Sequence, residues 1–324
     1  MELVAYFDQF LKDEVNLNQS RIDTLNQKRE TLTSFIKDSE VFKNLFIKME
    51  MQGSYAQRTI IKPTSERKEF DADLLLLLNE NEEWEAKDYI NELYNLFKGN
   101  GNYKDIVQRN KRCVIIDYAG DFHIDIVPCV KKDDEYLICN RVDNEFESDK
   151  PLDFRDWFLD RHKDSYSYLI KSVRLFKYLR DIKTSFTVKS ILLNVLLGNE
   201  VGSSELKVDF KNAPAAFYTL FKRLNTFLQN SSTMPIISNP VLPEENLAER
   251  NWDEDKYSNF RDKINSYWEK VKDAYEEKNK SESIEKWQKV FGDQFPNELK
   301  NSKVNNTVAA IASIATRAYA SKFQ

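Results

Sequence analysis

Two aspartates at the head of an apolar run place the strongest constraint on what this chain can fold into. Asp71 and Asp73 are separated by one alanine and are followed at once by five leucines, Leu74 to Leu78. An apolar run of this kind is typical of a strand fixed in a core. Because alternate residues of a strand point to the same face, the two carboxylates are expected to project side by side.

The pairing of these two acids indicates a site for a divalent metal. Two like charges at close range repel, and the pKa of each rises unless a cation lies between them. Mg²⁺ takes oxygen ligands and is the simplest occupant. An Asp-x-Asp pair alone is weak evidence, because paired aspartates in a charged protein are more often solvated than bound to a metal.

A glycine and a serine lie upstream of the paired acids. Gly53-Ser54 follows residues 46–51, whose alternation of apolar and polar side chains predicts a strand. The chain has only 7 glycines, so one at this position is informative. Glycine lets backbone N–H groups approach a phosphate closely, and a serine hydroxyl can add a hydrogen bond.

A third acid lies on a predicted hairpin. Residues 113–118 and 122–130 read as two strands joined by a turn, and Asp125 stands between two isoleucines on the second strand. The isoleucines are expected to face the core, which turns Asp125 to the side that the first two acids can share. A strand acid in such surroundings is costly without a partner.

The second half of the chain is predicted to be helical. Strand and helix patterns alternate up to about residue 150, and amphipathic helices follow. Lys177 lies on the basic flank of one of these helices, and Ser190 lies on the next. The predicted fold class is α/β (α+β) with two lobes. The predicted domains are a catalytic lobe with an N-terminal helix over residues 1–150, a helical substrate-binding lobe over residues 151–300 and a tail over residues 301–324.

The charge and the cysteines argue against several classes of protein. The chain carries 48 basic and 53 acidic residues, a formal net charge of −5, so wrapping of duplex nucleic acid is not implied. Cys113, Cys129 and Cys139 lack the spacing of a zinc site or a disulfide framework. We find no signal pattern and no apolar run near the roughly 20 residues that span a bilayer, and we expect a cytoplasmic protein.

Three carboxylates, a glycine–serine turn and a basic helix are the combination that two-metal phosphoryl or nucleotidyl transfer needs. In that chemistry the acids hold two Mg²⁺ ions about 3.5–4 Å apart. One ion stabilises the leaving pyrophosphate, and the other lowers the pKa of an attacking hydroxyl. No serine, cysteine or histidine nucleophile is required, because metals and positioning carry the catalysis.

These motifs resemble a known signature. Gly53-Ser54, the Asp71-Ala72-Asp73 pair and Ile124-Asp125-Ile126 resemble the signature of the polymerase-β-like nucleotidyltransferases. The later segments are similar to the oligoadenylate-synthase and cGAS-like branch. They are residues 172–179, 188–193, 237–240 with 246–248, and 287–292 with 295–296. The whole set resembles the bacterial cGAS-like nucleotidyltransferases (CD-NTases, SMODS-type), which make second-messenger oligonucleotides in antiphage defence.

The resemblance implies a role for each matching residue. Asp71, Asp73 and Asp125 match the metal-binding catalytic acids, and Gly53 with Ser54 matches the phosphate-binding turn. Lys177 matches the lysine that reaches the triphosphate, and Ser190 matches a hydroxyl in the same pocket. The implied cofactors are two Mg²⁺ ions, with Mn²⁺ as a substitute.

The chain departs from the family pattern at two positions. Arg58 stands where the family often has a glycine, four residues after Ser54, and we expect Arg58 to contact phosphate or substrate. Asn239 replaces the aspartate that usually precedes Pro240, which leaves its role in reading the base open.

The resemblance implies an enzyme that condenses nucleoside triphosphates, ATP among them, into a cyclic di- or trinucleotide and releases pyrophosphate. A downstream effector would sense the product, and the tail could dock a regulatory protein. Two alternatives stay open. One is a template-independent nucleotidyltransferase acting on RNA or protein, and the other is a non-catalytic nucleotide-binding scaffold.

Several other residues receive structural interpretations. Thr59 is expected to cap a local turn, and His162 to lie on the surface. His123 shares the face of Asp125, and a structural or supporting role is expected there. Trp287 and Phe291, at i and i+4 of a helix, are expected to pack in a core.

Overall fold

A computed structural model describes residues 1–64, 70–118, 122–133 and 135–300. The predicted hairpin turn at residues 119–121 and the predicted tail at residues 301–324 lie outside the described residues. None of the helices in the described ranges is long and apolar enough to cross a lipid bilayer.

Strands and helices alternate before residue 150, and helices dominate the chain afterwards. The helices are α1 (Val4–Phe10, continued by a π-helical turn at Leu11–Val15), α2 (Gln19–Lys37), α3 (Gly53–Ala56), α4 (Ala86–Lys98), α5 (Pro151–Asp164), α6 (Leu169–Lys183), α7 (Ser190–Asn199), α8 (Ala213–Gln229), α9 (Leu247–Asn251), α10 (Glu254–Glu276) and α11 (Lys280–Phe291). The strands are β1 (Phe46–Gln52), β2 (Phe70–Asn79), β3 (Val107–Arg109), β4 (Val114–Tyr118), β5 (Phe122–Lys132), β6 (Glu135–Asn140), β7 (Glu145–Ser148), β8 (Ser238–Asn239) and β9 (Leu242–Asn246).

Within the described residues, β1 to β7 form one sheet. Its order is β1-β2-β5-β4-β3, and β6 pairs with the far end of β5 and with β7. The leucine strand β2 lies between antiparallel β1 and parallel β5, and its five leucines are buried. The predicted hairpin is confirmed, because β4 and β5 pair antiparallel.

The segment from 131 to 150 differs from its prediction. The polar composition of residues 131–150 predicts an irregular segment with one short strand at residues 136–138, yet β6 and β7 extend the sheet there. The sequence Glu145-Phe146-Glu147-Ser148 is too short and too polar to show a clear alternation. Its pairing depends on backbone hydrogen bonds to a neighbour, which composition does not reveal.

The molecule has two large hydrophobic cores. One packs α2 and α4 against the sheet, and the other is formed by the helices after residue 150. The N-terminal helix belongs to the second core. The ring of Phe7 lies 4.8 Å from that of Trp287, and the ring of Phe10 lies 5.1 Å from that of Phe291. The predicted core packing of Trp287 and Phe291 is confirmed.

This packing departs from the predicted assignment of residues 1–150 to one lobe. Six apolar residues near the N-terminus are buried in the helical core, so the first helix packs there, the chain then builds the sheet, and it returns afterwards. They are Leu3, Tyr6, Phe7, Phe10, Leu11 and Val15. The sequence shows that α1 has an apolar face, but a helical period carries no information about which partner covers it. The domain boundaries at 150 and 300 stay a prediction.

Candidate active site

Strand register brings the predicted acids together. In the parallel pair β2–β5, Asp73 lies directly opposite Asp125, and Asp71 lies opposite His123. On the other side of β2, Gln52 at the end of β1 lies opposite Asp73. Two neighbouring strands therefore present their carboxylates at the same level of the sheet, as the alternation of side chains predicted.

The proximity of the acids to one another helps to raise their pKa values. Burial, followed by the charges of Asp125 and Asp71, raises the pKa of Asp73 to about 7. Burial is also the largest cause of the raised pKa of Asp125. Both shifts mean that the negative charges lack sufficient compensation.

The Asp125 carboxylate is satisfied on one oxygen only. Its Oδ2 accepts a weak hydrogen bond from the Sγ of Cys113 at 3.5 Å. Its Oδ1 is buried and accepts no hydrogen bond from the described residues. Burial and the charge of Asp125 raise the pKa of Cys113, so this group stays a protonated donor. No sequence pattern predicts this contact, because Cys113 precedes β4 and its side-chain direction is set only in the fold.

These features fit a divalent cation. Mg²⁺ prefers carboxylate oxygens, and the orphaned Oδ1 and the raised pKa values are what its charge would relieve. Among the described residues, no trio of His, Cys, Asp or Glu side chains is yet arranged to hold an ion. Asp71 is engaged elsewhere, because its Oδ1 lies 2.9 Å from the Nε2 of His123. His123 thus contacts a predicted metal acid, which agrees with its expected supporting role.

The glycine before Ser54 is required by its geometry. Gly53 has φ of +58°, a left-handed conformation that favours glycine. A Cβ built there would overlap the Oδ2 of Asp73 and lie 3.1 Å from its Cγ. Gly53 therefore lets the turn after β1 close directly over the acid, and Ser54 lines the same cleft.

Lys177 crosses from the helical part to this turn. Although it is a lysine, only 3% of its surface is exposed. Its Nζ donates hydrogen bonds to the backbone oxygen of Thr59 at 3.1 Å and to the Thr59 hydroxyl at 3.0 Å. Its charge acts to lower the pKa of Asp73, although the causes that raise it prevail. Thr59 was expected to be a local cap, but it is a buried acceptor for a residue of α6.

Arg58 is not placed where the sequence suggested. Its side chain is exposed, and it is absent from the residues that line the cleft. Its backbone has φ of +58°, and its carbonyl oxygen accepts a hydrogen bond from the Nε of Arg174 at 2.8 Å. The position serves to hold the chain against α6, so the expected contact of the Arg58 side chain with phosphate is not supported.

His162 also differs from its prediction. It is half-buried, and its Nδ1 accepts a hydrogen bond from the backbone N–H of Ile170 at 3.3 Å. Burial, followed by the charges of Arg58 and Arg174, lowers the pKa of His162 to about 4. It is a neutral structural histidine outside the cleft lining.

The cleft between the sheet and the helices has a volume of about 410 Å³. It joins Ser54, Asp71, Asp73, Asp125, Lys177 and Ser190, all predicted from the sequence. Sequence reasoning missed several polar lining residues, which are Gln57, Asp149, Arg180, Asp181 and Asn194. Helical spacing could have identified two of these lining residues. Arg180 follows Lys177 by about one helical turn, and Asn194 follows Ser190 by about one turn, so each lies on the same face as its predicted neighbour.

The missed residues also connect the two sides of the cleft. The Nδ2 of Asn194 donates to the Oε1 of Gln57 at 2.6 Å, and both residues are buried. Arg180 donates to the backbone oxygen of Val188 at 2.9 Å and lies 3.5 Å from the hydroxyl of Ser190. The start of α7 is thereby held at the cleft.

Comparisons with known proteins agree with this geometry. Residues 1–161 match the family model described as the Second Messenger Oligonucleotide or Dinucleotide Synthetase (SMODS) domain. A c-di-GMP synthase of Roseivirga ehrenbergii is 25% identical over 82% of this chain and 78% of its own length. By these matches the chain is similar to the bacterial cGAS-like nucleotidyltransferases, and its first 161 residues carry the SMODS domain.

Two further proteins extend the agreement over most of the chain. A cyclic AMP-AMP-AMP synthase of an Acinetobacter species is 20% identical over 91% of the chain and 86% of its own length. The solved structure of the Vibrio cholerae cyclic AMP-GMP synthase DncV, a prokaryotic cGAS homolog, superposes with a TM-score of 0.75. That likeness covers 91% of this chain and 97% of the other at 16% identity. The chain therefore has the same fold as this solved structure, which is the two-lobed polymerase-β-like fold that the motifs implied.

Proposed function

We propose that this nucleotidyltransferase condenses nucleoside triphosphates, ATP among them, into a cyclic di- or trinucleotide and releases pyrophosphate. The observation that carries the proposal is the placement of Asp73 opposite Asp125, beneath Gly53 and in one cleft with Lys177. A cluster of undercompensated acids facing a buried lysine suits a substrate that brings both metal ions and phosphates.

The acids would hold the metal ions. Asp73 and Asp125 offer the carboxylates whose pKa values are raised, and Asp71 offers a third beside His123. We assign two Mg²⁺ ions to this cluster, with Mn²⁺ as a substitute. When bound, such ions neutralise charge on the triphosphate and favour ionisation of the attacking hydroxyl.

The other residues of the cleft would bind and orient the triphosphate. Ser54 offers a hydroxyl beside the turn, and Lys177 offers a buried positive charge. Ser190 starts α7 at the opposite wall, where Arg180 braces it. A triphosphate between them would take the donors that now point to Thr59 and its neighbours.

The reaction then follows from positioning. A ribose hydroxyl of the acceptor nucleotide forms a new bond to the α-phosphorus and loses its proton to solvent. The bond between the α-phosphorus and the bridging oxygen breaks, and that oxygen leaves with pyrophosphate. A second attack by the hydroxyl of the linear product would close the ring.

The biological setting is proposed from the relatives. The names of the two curated relatives cover a cyclic dinucleotide and a cyclic trinucleotide, so the ring size is left at two or three. We propose that the product is an antiphage second messenger read by a downstream effector. A regulatory protein that docks on residues 301–324 stays a prediction outside the described residues.

Incubation of the purified protein with all four NTPs and Mg²⁺ tests the proposal, with mass spectrometry of the phosphatase-resistant products. Small cyclic oligonucleotides and an equivalent release of pyrophosphate are expected. Extension of added RNA or labelling of an added protein, without small products, would instead support the alternative transferase. Binding of NTPs without turnover, under conditions in which a relative is active, would support the scaffold.

A further inference from the structure

Arg180 lines the cleft, and the proposed reaction gives it no contact with substrate. It follows Lys177 on α6 by three residues, which is about 4.5 Å along a helix axis. Its side chain is only 11% exposed, so the guanidinium lies almost inside the helical wall. A buried cation is costly unless its N–H groups meet acceptors, so each of its contacts is informative.

The hydrogen bonds of Arg180 use two of its three nitrogens. Nε donates to the Oδ1 of Asp181 at 2.7 Å. Nη1 donates to the backbone oxygen of Val188 at 2.9 Å and lies 3.5 Å from the hydroxyl of Ser190. Among the described residues, none accepts a hydrogen bond from Nη2. A guanidinium carries five N–H donors, so the two on Nη2 are left for a ligand.

The same contacts hold the guanidinium in one orientation. The group is rigid and planar, so hydrogen bonds at Nε and Nη1 also fix the direction of Nη2. Asp181 is itself 9% exposed, and its carboxylate offsets the charge of Arg180 at close range. We therefore expect Arg180 to act on a ligand through directed hydrogen bonds more than through net charge.

The position of Arg180 matches the outer phosphates of a bound triphosphate. In the proposed reaction, the α-phosphorus lies at the acids of the sheet, and Ser190 binds the triphosphate from the opposite wall. Arg180 belongs to that opposite wall and lies beside the hydroxyl of Ser190. It is therefore placed near the β- and γ-phosphates and away from the bond that forms at the α-phosphorus.

We propose that Arg180 donates hydrogen bonds from Nη2 to the β- and γ-phosphates of the substrate and holds the pyrophosphate half of the triphosphate. Arginine suits this task, because its N–H groups form directed, charge-assisted hydrogen bonds to phosphate oxygens. The inference rests on the proposed function, because it assigns a further residue to the triphosphate in the same cleft.

Inorganic pyrophosphate is the sharpest probe, because it carries only the part of the substrate that Arg180 contacts. We would measure the Kd of pyrophosphate, AMP and α,β-methylene-ATP by calorimetry with Mg²⁺, since none of the three can be turned over alone. Arg180→Met should weaken binding of pyrophosphate and of the ATP analogue by about 10-fold to 100-fold, the size of a hydrogen bond to a charged group. AMP binding should not change, because AMP lacks both outer phosphates.

The AMP measurement separates contact with phosphate from support of the wall. Arg180 also holds the start of α7 through Val188, and Ser190 and Asn194 of that helix line the cleft. A displaced α7 would alter the cleft for every nucleotide and would weaken AMP binding as well. Loss of pyrophosphate binding with AMP binding intact is therefore specific to a contact with the outer phosphates.

Arg180→Lys tests whether the shape of the guanidinium matters. Lysine keeps the charge but offers a single ammonium in place of the planar fork, and Asp181 would compete for it. Pyrophosphate affinity should be restored only in part, to about 3-fold to 10-fold below that of the unmodified protein. This variant also gives a second reading if the methionine variant does not fold.

Arg161 offers a matched control. It lies on α5, where its Nη1 donates to the backbone oxygen of Val201 at 3.2 Å and lies 3.5 Å from a carboxylate oxygen of Asp164. It therefore resembles Arg180 in its contacts, but it does not line the cleft. Arg161→Met should leave the Kd of all three ligands at the unmodified value. Thermal unfolding of each variant shows whether it is folded.

Each outcome counts for or against the assignment. Unchanged pyrophosphate binding in folded Arg180→Met, equal weakening of AMP and pyrophosphate, or full restoration by Arg180→Lys would overturn it. So would an unmodified protein that does not bind pyrophosphate. The proposed function fails separately, through absence of small cyclic products with any mixture of NTPs.

Discussion

The two walls of the cleft hold their charges in opposite ways. On the sheet wall, Asp73 and Asp125 face each other with raised pKa values, and one oxygen of Asp125 accepts no hydrogen bond from the described residues. On the helical wall, the cations are already hydrogen-bonded. Lys177 donates to Thr59, and Arg180 donates to the backbone of Val188.

This difference shows what each wall contributes before substrate arrives. The sheet wall stores unfavourable electrostatic energy that a metal ion can relieve at once. On the helical wall, the donors already form hydrogen bonds to protein oxygens. A phosphate that replaces those oxygens therefore gains only the difference in free energy between the new hydrogen bonds and the old ones. We therefore expect the sheet wall to control whether the reaction occurs and the helical wall to control how well substrate is held.

The largest effect should come from the sheet wall. Asp73→Ala should lower kcat by about 10³-fold or more, because metal coordination contributes several kcal/mol to the transition state. Its thermal stability should stay equal or rise, since a buried and undercompensated charge is removed. Asp71→Ala should also abolish turnover with the fold intact. Near-wild-type turnover in either folded variant would end the metal assignment.

Gly53→Ala should be the next most damaging change. The added Cβ overlaps the Asp73 carboxylate and requires a left-handed backbone, so the acid must shift. We expect turnover to fall about 100-fold and the free energy of unfolding to fall by about 1–2 kcal/mol. Gly101→Ala is the control, because its Cβ would meet nothing within 4 Å. Equal effects of the two substitutions would contradict the close approach.

Lys177→Met should affect substrate binding more than the fold. The apolar stem is retained, and the charge facing the triphosphate is lost, so kcat/KM should fall about 10-fold to 100-fold, mostly through KM. Lys171→Met, on the same helix with a 3.7 Å contact to Asp8, should change kcat/KM little. A drop in kcat alone, with KM unchanged, would mean that Lys177 acts in the chemical step and not in substrate binding.

Cys113→Ala should give a smaller effect that reports on Asp125. Without the thiol contact, the Mg²⁺ concentration for half-maximal activity should rise about 3-fold to 10-fold, the size of one hydrogen bond. Direct Mn²⁺ binding, followed by electron paramagnetic resonance, should weaken in parallel. Cys113→Ser should restore both, and Cys129→Ala, a control at a second buried cysteine, should leave both unchanged. If Cys113→Ala, Cys113→Ser and Cys129→Ala all had the same metal dependence, the contact of Cys113 with Asp125 would have no effect on metal binding.

Arg58→Gly should have the smallest effect. Its side chain is outside the cleft lining, and glycine adopts the observed φ of +58° without strain. Activity should stay within about twofold, and the free energy of unfolding should rise by about 1 kcal/mol. A tenfold rise in KM would restore the original expectation that Arg58 contacts substrate.

The difference between the sheet wall and the helical wall also explains how much of the site could be predicted from the sequence. The placement of the acids was predictable because two local rules, strand alternation and the cost of an acid among isoleucines, act on Asp71, Asp73 and Asp125 separately. Their mutual placement then needed only the correct strand pairing. The need for Gly53 was predicted, although its structural reason is the nearness of Asp73 rather than a phosphate.

The helical wall and the lobe assignment were less predictable because they depend on contacts across the chain. Thr59 accepts from Lys177, and Asn194 pairs with Gln57, over separations of more than a hundred residues. Propensity and periodicity describe neighbours in sequence, so they could not foresee these partners or the exposed position of Arg58. The strand β7 was missed for the same reason, since its pairing with β6 outweighs a polar composition.

The docking of the first helix among the last has a consequence for biosynthesis. Phe7 and Phe10 pack on Trp287, Phe291 and Phe295, which are synthesised after the whole sheet and the other helices. At translation rates of about 5–20 residues per second, the separation along the chain means that the first helix waits on the order of 15–60 s for these partners. During that time its aromatic face has no native cover, while the residues that form the sheet can already assemble. A chaperone or the ribosome surface would cover this aromatic face until the helical core forms around it.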